Sequence, residues 1–316
     1  GGHARELEQR QQVLPEDSVR SALSYKPRPD DVFIVTDFPL CGATWVQLIV
    51  YHILHEKAPP APLLERARHL PHLEMQGAEA LDIMPRPGSV RTHLPYRLVP
   101  RAECAKYIYV ARNPYDCSAF FYEQLLNVRR NETSKEDPQS FTTFYDQFVE
   151  GRAVCGDYLD NLTSWYARRF DDNVLFLTYE ELAGENKTTV LRIADFLGED
   201  GEYGRKLRSS RTLLQKICSE TRHEGVWECV ESDTKRRMQE AAEICEEEKP
   251  EWVKRLQQAG NSVPCGKLFD KKVEGSEQNV TRDSMFTPGM KRKMQERIKS
   301  VAGNRCDVMN LWNNDD

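Results

Sequence analysis

The run Val32-Phe33-Ile34-Val35 is apolar at every position, so an extended segment here has no face to show to water. A strand with one wet face alternates apolar and polar side chains, whereas a strand buried on both faces reads as an unbroken apolar run. With Thr36 it gives a strand candidate over 32–36. Three more follow at 88–92 (GSVRT), 106–111 (KYIYVA) and 173–178 (NVLFLT). Helical patterns separate and follow them. In 141–149, Phe141, Phe144, Tyr145 and Phe148 share one face, and in 158–169 Leu162, Trp165 and Tyr166 do. Asn186 can cap a helix whose Val190, Ile193, Ala194 and Leu197 form a stripe, with Gly198 as its stop. Strands alternating with helices predict an α/β fold, a single domain whose central parallel sheet is flanked by helices.

The ends of the chain read differently. Residues 1–30, polar and proline-punctuated, are expected to form a short helix and an arm, with 1–20 flexible, Gly1-Gly2-His3 resembling a tag remnant, and 21–316 the folded domain. Residues 233–257 read as a charged helix interrupted at Pro250, 259–289 have no periodicity, and Met290, Met294, Ile298 and Val301 mark a closing helix. The 316 residues are 39% hydrophobic and 30% charged, as in an ordinary soluble globule. A net charge of −6 argues against a general nucleic-acid binder but allows a local basic pocket. No run approaches a membrane span, and no signal-peptide pattern opens the sequence. Nine scattered cysteines without CxxC spacing suit reduced thiols, so a cytoplasmic protein is expected. The sequons at Asn131, Asn161, Asn186 and Asn279 point weakly the other way and are read as unused.

Four strand ends carry polar groups. The first strand feeds a Pro/Gly turn, PLCGATW, and then an apolar helical stretch, a P-loop-like corner. Such a corner aims first-turn amides and the positive end of a helix dipole at an anion. Gly42 allows close backbone approach and Thr44 adds a hydroxyl, although a plain strand-to-helix corner accounts for the turn equally well. The GxxxxGK-Ser/Thr pattern is absent, which disfavours an ATPase, GTPase or nucleotide kinase. Past the second strand stands Arg91-Thr92-His93, and an imidazole near its normal pKa can take a proton from a hydroxyl. A hydrogen-bonded structural histidine is the plainer alternative. Arg112 ends the third strand, where a guanidinium can clamp a phosphate. Tyr179 ends the fourth. His52/His55 and His69/His72 are spaced like metal ligands but lack a third partner, so both pairs read as structural or surface and no metal is expected.

In this order and spacing the segments resemble the cytosolic sulfotransferase family, with wording closest to its arthropod members. The family's strand-PKxGTTW, K/R-THLP, YxxRNPxD and xYE…FLG motifs correspond to PLCGATW, RTHLP, YVARNPYD and LTYEEL…IADFLG here. The resemblance implies transfer of a sulfuryl group from 3′-phosphoadenosine 5′-phosphosulfate (PAPS) to a small phenol, amine or alcohol. It implies His93 as the base, with Arg91 at a lysine position beside it, and Arg112 at the 3′-phosphate. Cys41, Gly42, Ala43 and Thr44 match the phosphosulfate loop, Trp45 the adenine-stacking tryptophan, and Tyr179 a position near the nucleotide.

Departures from the pattern cluster at the nucleotide. Leu40 replaces the loop lysine, Asp37 or a neighbour is inserted before the loop, and Ala43 replaces a threonine. Phe120 stands where a second 3′-phosphate ligand, a serine, belongs, with Ser118 two positions early as a stand-in. The late glycine-rich segment survives as a trace, with Lys271 and Lys272 as substitute cations. Asp283 and Pro288 disrupt the stretch that resembles the family's dimer motif. Losing one preorganised donor to developing charge costs on the order of 10²–10³ in rate. Two readings therefore stand: a working PAPS-dependent sulfotransferase with a rearranged site, or a weak or inactive relative that keeps the fold as a binding module.

Overall fold

The computed structural model describes residues 16–36, 41–60, 62–131, 140–153, 156–184, 186–222, 244–245, 247, 249–262 and 285–312. The predicted strands are present as β1 (Asp31–Val35), β2 (Gly88–Thr92), β3 (Lys106–Ala111) and β4 (Val174–Thr178). They form one parallel sheet in the order β2-β1-β3-β4. Every residue of β1 is buried. Side chains alternate along a strand, so Phe33 and Val35 join Tyr107, Tyr109 and Ala111 in one core while Val32 and Ile34 join Ile108, Val110 and Leu177 in the other. That double burial explains the unbroken apolar run.

The helices are α1 (Glu16–Ser24), α2 (Ala43–His55), α3 (Leu63–His69), α4 (Leu73–Gln76), α5 (Glu79–Asp82), α6 (Pro114–Asn131) and α7 (Phe141–Val149), then α8 (Tyr158–Tyr166), α9 (Tyr179–Gly184), α10 (Asn186–Leu197), α11 (Glu202–Ser209), α12 (Arg211–Glu220), α13 (Glu251–Ser262) and α14 (Pro288–Ala302). Trp45, Val46, Ile49 and Ile53 of α2 pack on one face of the sheet with Val190 and Ile193 of α10, Leu207 of α11 and Ile217 of α12. Phe144, Tyr145 and Phe148 of α7, Trp165 of α8 and Met294 and Ile298 of α14 fill the opposite face. Side-chain caps start several of these helices: Ser140 accepts from the Thr143 amide, Asp157 from Asp160, and Thr287 from Met290 ahead of a first-turn proline.

Three boundaries differ from the sequence reading. Residues 16–20, assigned to the arm, belong to α1, whose Val19 and Ala22 are 1% and 0% exposed. The 158–169 pattern is helical only to Tyr166. The helix after Pro250 runs past the expected end at 257: Lys249 and Pro250 are not helical, the Pro250 carbonyl accepts from the Val253 and Lys254 amides, and α13 continues to Ser262. Residues 1–15, most of 233–249 and 263–284 lie outside the described residues.

The strand order fixes where a ligand can sit. From β1 the chain crosses to β2 on one side, then returns past β1 to β3 and β4 on the other. The connections from β1 and β3 therefore lead to strands on opposite sides, and the carboxyl ends of these two strands mark the switch point of an open parallel sheet, where ligands of such folds bind.

Candidate functional site

Gly42, after β1, is the N-cap of α2 and adopts a left-handed conformation with φ 102° and ψ 0°. A Cβ there would stand 3.3 Å from Tyr179 Cδ2 and 3.3 Å from Val110 Cγ1. Glycine is thus needed both for the positive φ and for the close approach. The turn carries the amides of the first turn of α2 to the carboxyl edge of the sheet, where the dipole favours an anion. Ala43 is buried, and half-buried Thr44 accepts a hydrogen bond from Arg91 Nη1 at 2.6 Å. The buried Cys41 Sγ lies 3.5 Å from Cys117 Sγ of α6.

Across the switch point, Arg112 directly follows β3 and is 5% exposed. Its guanidinium carbon lies 4.3 Å from the ring centroid of Tyr179 and 4.6 Å from that of Phe120, within the range of cation–π attraction. Burial works against the Arg112 charge, yet the thiols of Cys41 and Cys117, the Tyr179 hydroxyl and Asp116 together hold its pKa above the ordinary arginine value. The Tyr158 hydroxyl donates to the Arg112 carbonyl and fixes this strand end. Phe120, the residue at the expected serine position, meets the guanidinium. Ser118 is fully buried and donates to the Tyr115 carbonyl of its own helix at 2.8 Å. Trp45 is 4% exposed, donates its indole N–H to the Thr221 carbonyl at 2.7 Å, and stands edge-on to Tyr179 with centroids 5.8 Å apart. Gly42, Trp45, Arg112 and Tyr179 thus form one cluster at the β1/β3 switch point.

His93 follows β2 at the same edge. Its Nδ1 is 3.0 Å from the Thr36 carbonyl oxygen and 3.0 Å from Thr36 Oγ1. A carbonyl only accepts, so Nδ1 carries the proton and Nε2 holds the basic lone pair. The His93 amide donates to Glu74 Oε1 at 2.6 Å, and the ring of His72 stands perpendicular to that of His93 with centroids 4.9 Å apart. Sequence reasoning set His72 aside and passed over Glu74. The only signal was an acidic residue in an otherwise apolar LPHLEM stretch, and its meaning depends on a contact nineteen residues away. His55 and His69 pack around Tyr51 with ring centroids 6.5 Å apart. Among the described residues no three His, Cys, Asp or Glu side chains are grouped to hold a metal ion, and no helix is long and apolar enough to cross a membrane. Asp37, Leu40, Lys271, Lys272 and Asp283 lie outside the described residues.

Fold and site together define an α/β protein with a P-loop-like corner, a buried arginine and a histidine along one sheet edge. Residues 29–256 match the sulfotransferase domain family, and the chain belongs to that family. It is 31% identical over 214 residues to sulfotransferase 1C2 of Oryctolagus cuniculus, covering 64% of this chain and 67% of the relative. To the human sulfotransferase 1C2 it is 30% identical over 218 residues, covering 65% and 68%. Two solved structures share the fold. A mouse sulfotransferase complexed with PAP gives a TM-score of 0.61 at 22% identity, covering 95% of this chain and 93% of that one. Retinol dehydratase in a complex with retinol and PAP gives 0.57 at 21% identity, covering 90% and 85%.

Proposed function

We propose that this protein is a cytoplasmic sulfotransferase that moves a sulfuryl group from PAPS to the hydroxyl or amine of a small acceptor. The observation that carries this reading is the fixed tautomer of His93, which turns a basic Nε2 away from Thr36 at the sheet edge that also bears Gly42 and Arg112. The PAP held by solved relatives of the same fold supports the donor, and the retinol in one of them supports a small hydroxylated acceptor.

The residues present fit such a nucleotide. Gly42 leaves a cradle that a Cβ would crowd, α2 presents its N-terminus, and Arg112 supplies a buried cation. When bound, PAPS supplies the activated sulfuryl group. Nε2 of His93 takes the proton of the acceptor as it attacks, and the Thr36 carbonyl holds Nδ1–H throughout. The first-turn amides of α2, with Arg91 pinned beside them by Thr44, oppose negative charge growing on the leaving side. Arg112 would hold the 3′-phosphate of the bound nucleotide, and Trp45 and Tyr179, which cluster with it, would take its adenine.

A second reading has its own observation. Phe120 and Tyr179 enclose the Arg112 guanidinium, and Ser118 is turned into its helix, which suits a weak or inactive site on a binding module. Calorimetric titration with PAP is expected to show micromolar binding that Arg112→Ala abolishes; no heat at millimolar PAP overturns the donor assignment. Transfer from PAPS to a panel of phenols, amines and alcohols is expected, and His93→Ala should lower it by at least about 10². PAP binding without any transfer would favour the second reading.

A further inference from the structure

We propose that Glu74 and His72 act as a positioning unit for His93, in which one buried carboxylate holds the main chain of the base and stands beside a second imidazole that flanks its ring. Glu74 is 0% exposed. Its Oε1 accepts from the His93 amide at 2.6 Å, and its Oε2 lies 3.7 Å from Nε2 of buried His72. The ring of His72 in turn stands at 90° to the ring of His93.

The segment carrying these two residues is itself held firmly. His72 pairs with Arg91 in an isolated parallel bridge, and the Arg91 amide donates to the Pro71 carbonyl at 3.1 Å. Gln76 Oε1 accepts from the His72 amide at 2.7 Å while its Nε2 donates to Ala67 at 3.1 Å. Gln47, from α2, donates to the carbonyls of Pro71 at 3.1 Å and Ser89 at 3.0 Å. Packing alone would be served by an apolar side chain, because a buried carboxylate is costly unless its oxygens are satisfied. Here the carboxylate sits on the amide of the one residue whose orientation decides where a proton is taken. Thr36 fixes Nδ1, Glu74 fixes the backbone and His72 flanks the ring, so Nε2 keeps one direction. A carboxylate this near also favours the imidazolium that forms when the proton arrives. The titratable group seen against the ring itself is His72, while Glu74 reaches the His93 backbone amide and Arg91, two residues back on β2, reaches Thr44. Thr36 brings only a hydroxyl and a carbonyl.

The inference rests on His93 as the base, but its test reads His93 directly. The ring resonances of His93, assigned with His93→Asn, are followed against pH by NMR in the full chain and in Glu74→Gln, which keeps an acceptor for the amide and removes the charge. His93 is expected to release its proton at lower pH in Glu74→Gln, by roughly half a unit or more. Its kcat should fall about tenfold with KM for PAPS unchanged. In His72→Ala, which also serves should Glu74→Gln lose its fold, the His93 signals are expected to broaden as the ring samples several orientations. An unshifted titration in Glu74→Gln, or sharp His93 signals in His72→Ala, overturns the proposal even if melting temperatures fall. Should the wild type transfer no sulfuryl group, the functional reading fails separately and the titration alone decides this one.

Discussion

Gly42 combines a left-handed backbone with a missing side chain that two neighbours exploit, so Gly42→Ala is penalised twice. The backbone term is about 1 kcal/mol. The added methyl meets Tyr179 and Val110 at 3.3 Å, and Tyr179 is one of the rings against Arg112. The expected outcome is a lower melting temperature together with PAP binding weakened about tenfold by calorimetry; wild-type affinity would show that Tyr179 does not position the site. Arg86 offers the contrast of a cation that serves only the fold. It pairs with fully buried Asp31 and donates to the Tyr25 hydroxyl and the Leu81 carbonyl, at the opposite end of β1 from the site. Tyr25 itself is pushed up to about 12, by burial first and then by its hydrogen bond to Asp31. Arg86→Ala removes the paired cation of the buried Asp31 carboxylate, which keeps only the Tyr25 hydroxyl and the Arg28 amide among these contacts, and should cost about 3 kcal/mol in denaturant unfolding while PAP affinity, referred to folded protein, stays unchanged.

At the scale of elements, the contact between α2 and α3 makes stability depend on pH. His52 and His55 on α2 and His69 on α3 all have pKa values held below the ordinary histidine value of 6.5, chiefly by burial. For His55 the charge of His69 adds to this, whereas for His52 nearby Glu220 acts in the opposite sense. A depressed histidine binds fewer protons folded than unfolded, so the stability it contributes is present above the unfolded pKa and is lost as pH falls below it. The melting temperature should therefore drop from about pH 7.5 to about pH 5.5, and His55→Gln with His69→Gln should flatten that slope. β1 and β3 were legible because burial on both faces leaves a mostly apolar run, and α7, α8 and α10 because each has one apolar stripe; β2, GSVRT, carries no such run. The four-residue helices α4 and α5 are too short to show a period. His93 and Arg112 could be found because each directly follows a strand, and a parallel sheet sends all its strand ends to one edge. Phe120 against Arg112, Arg91 reaching Thr44, and Glu74 beneath His93 were not legible, since each joins separate elements through side-chain directions that no local pattern encodes.

At the scale of the whole molecule, the closing segment belongs to the core and reaches back to the site. Phe286, Met290, Met294, Ile298 and Val308 are buried among Phe144, Tyr145, Phe148 and Trp165. Polar contacts hold the same seam: the Tyr145 hydroxyl donates to the Met290 carbonyl at 3.0 Å, Arg297 pairs with Asp157, and the Tyr166 hydroxyl donates to Asp307 at 2.9 Å. The Trp312 indole donates at 2.8 Å to Glu180, whose other oxygen accepts from the amide of Asn113 at 3.0 Å, next to Arg112. Burying a large apolar side chain contributes roughly 1.5–3 kcal/mol, so these five side chains amount to about 10 kcal/mol. The net stability of a domain is itself only about 5–15 kcal/mol. A chain ended after Gln258 should therefore show no cooperative thermal transition by circular dichroism, and a cooperative melt would mean that the sheet and its other helices suffice. Trp312→Phe is the milder cut, keeping most of the apolar contact and losing the hydrogen bond to Glu180. Its melting temperature should stay close to wild type while PAP binding weakens several-fold, because the Asn113 amide beside Arg112 loses its fixed acceptor. Unchanged binding in Trp312→Phe would confine the closing segment to a structural role.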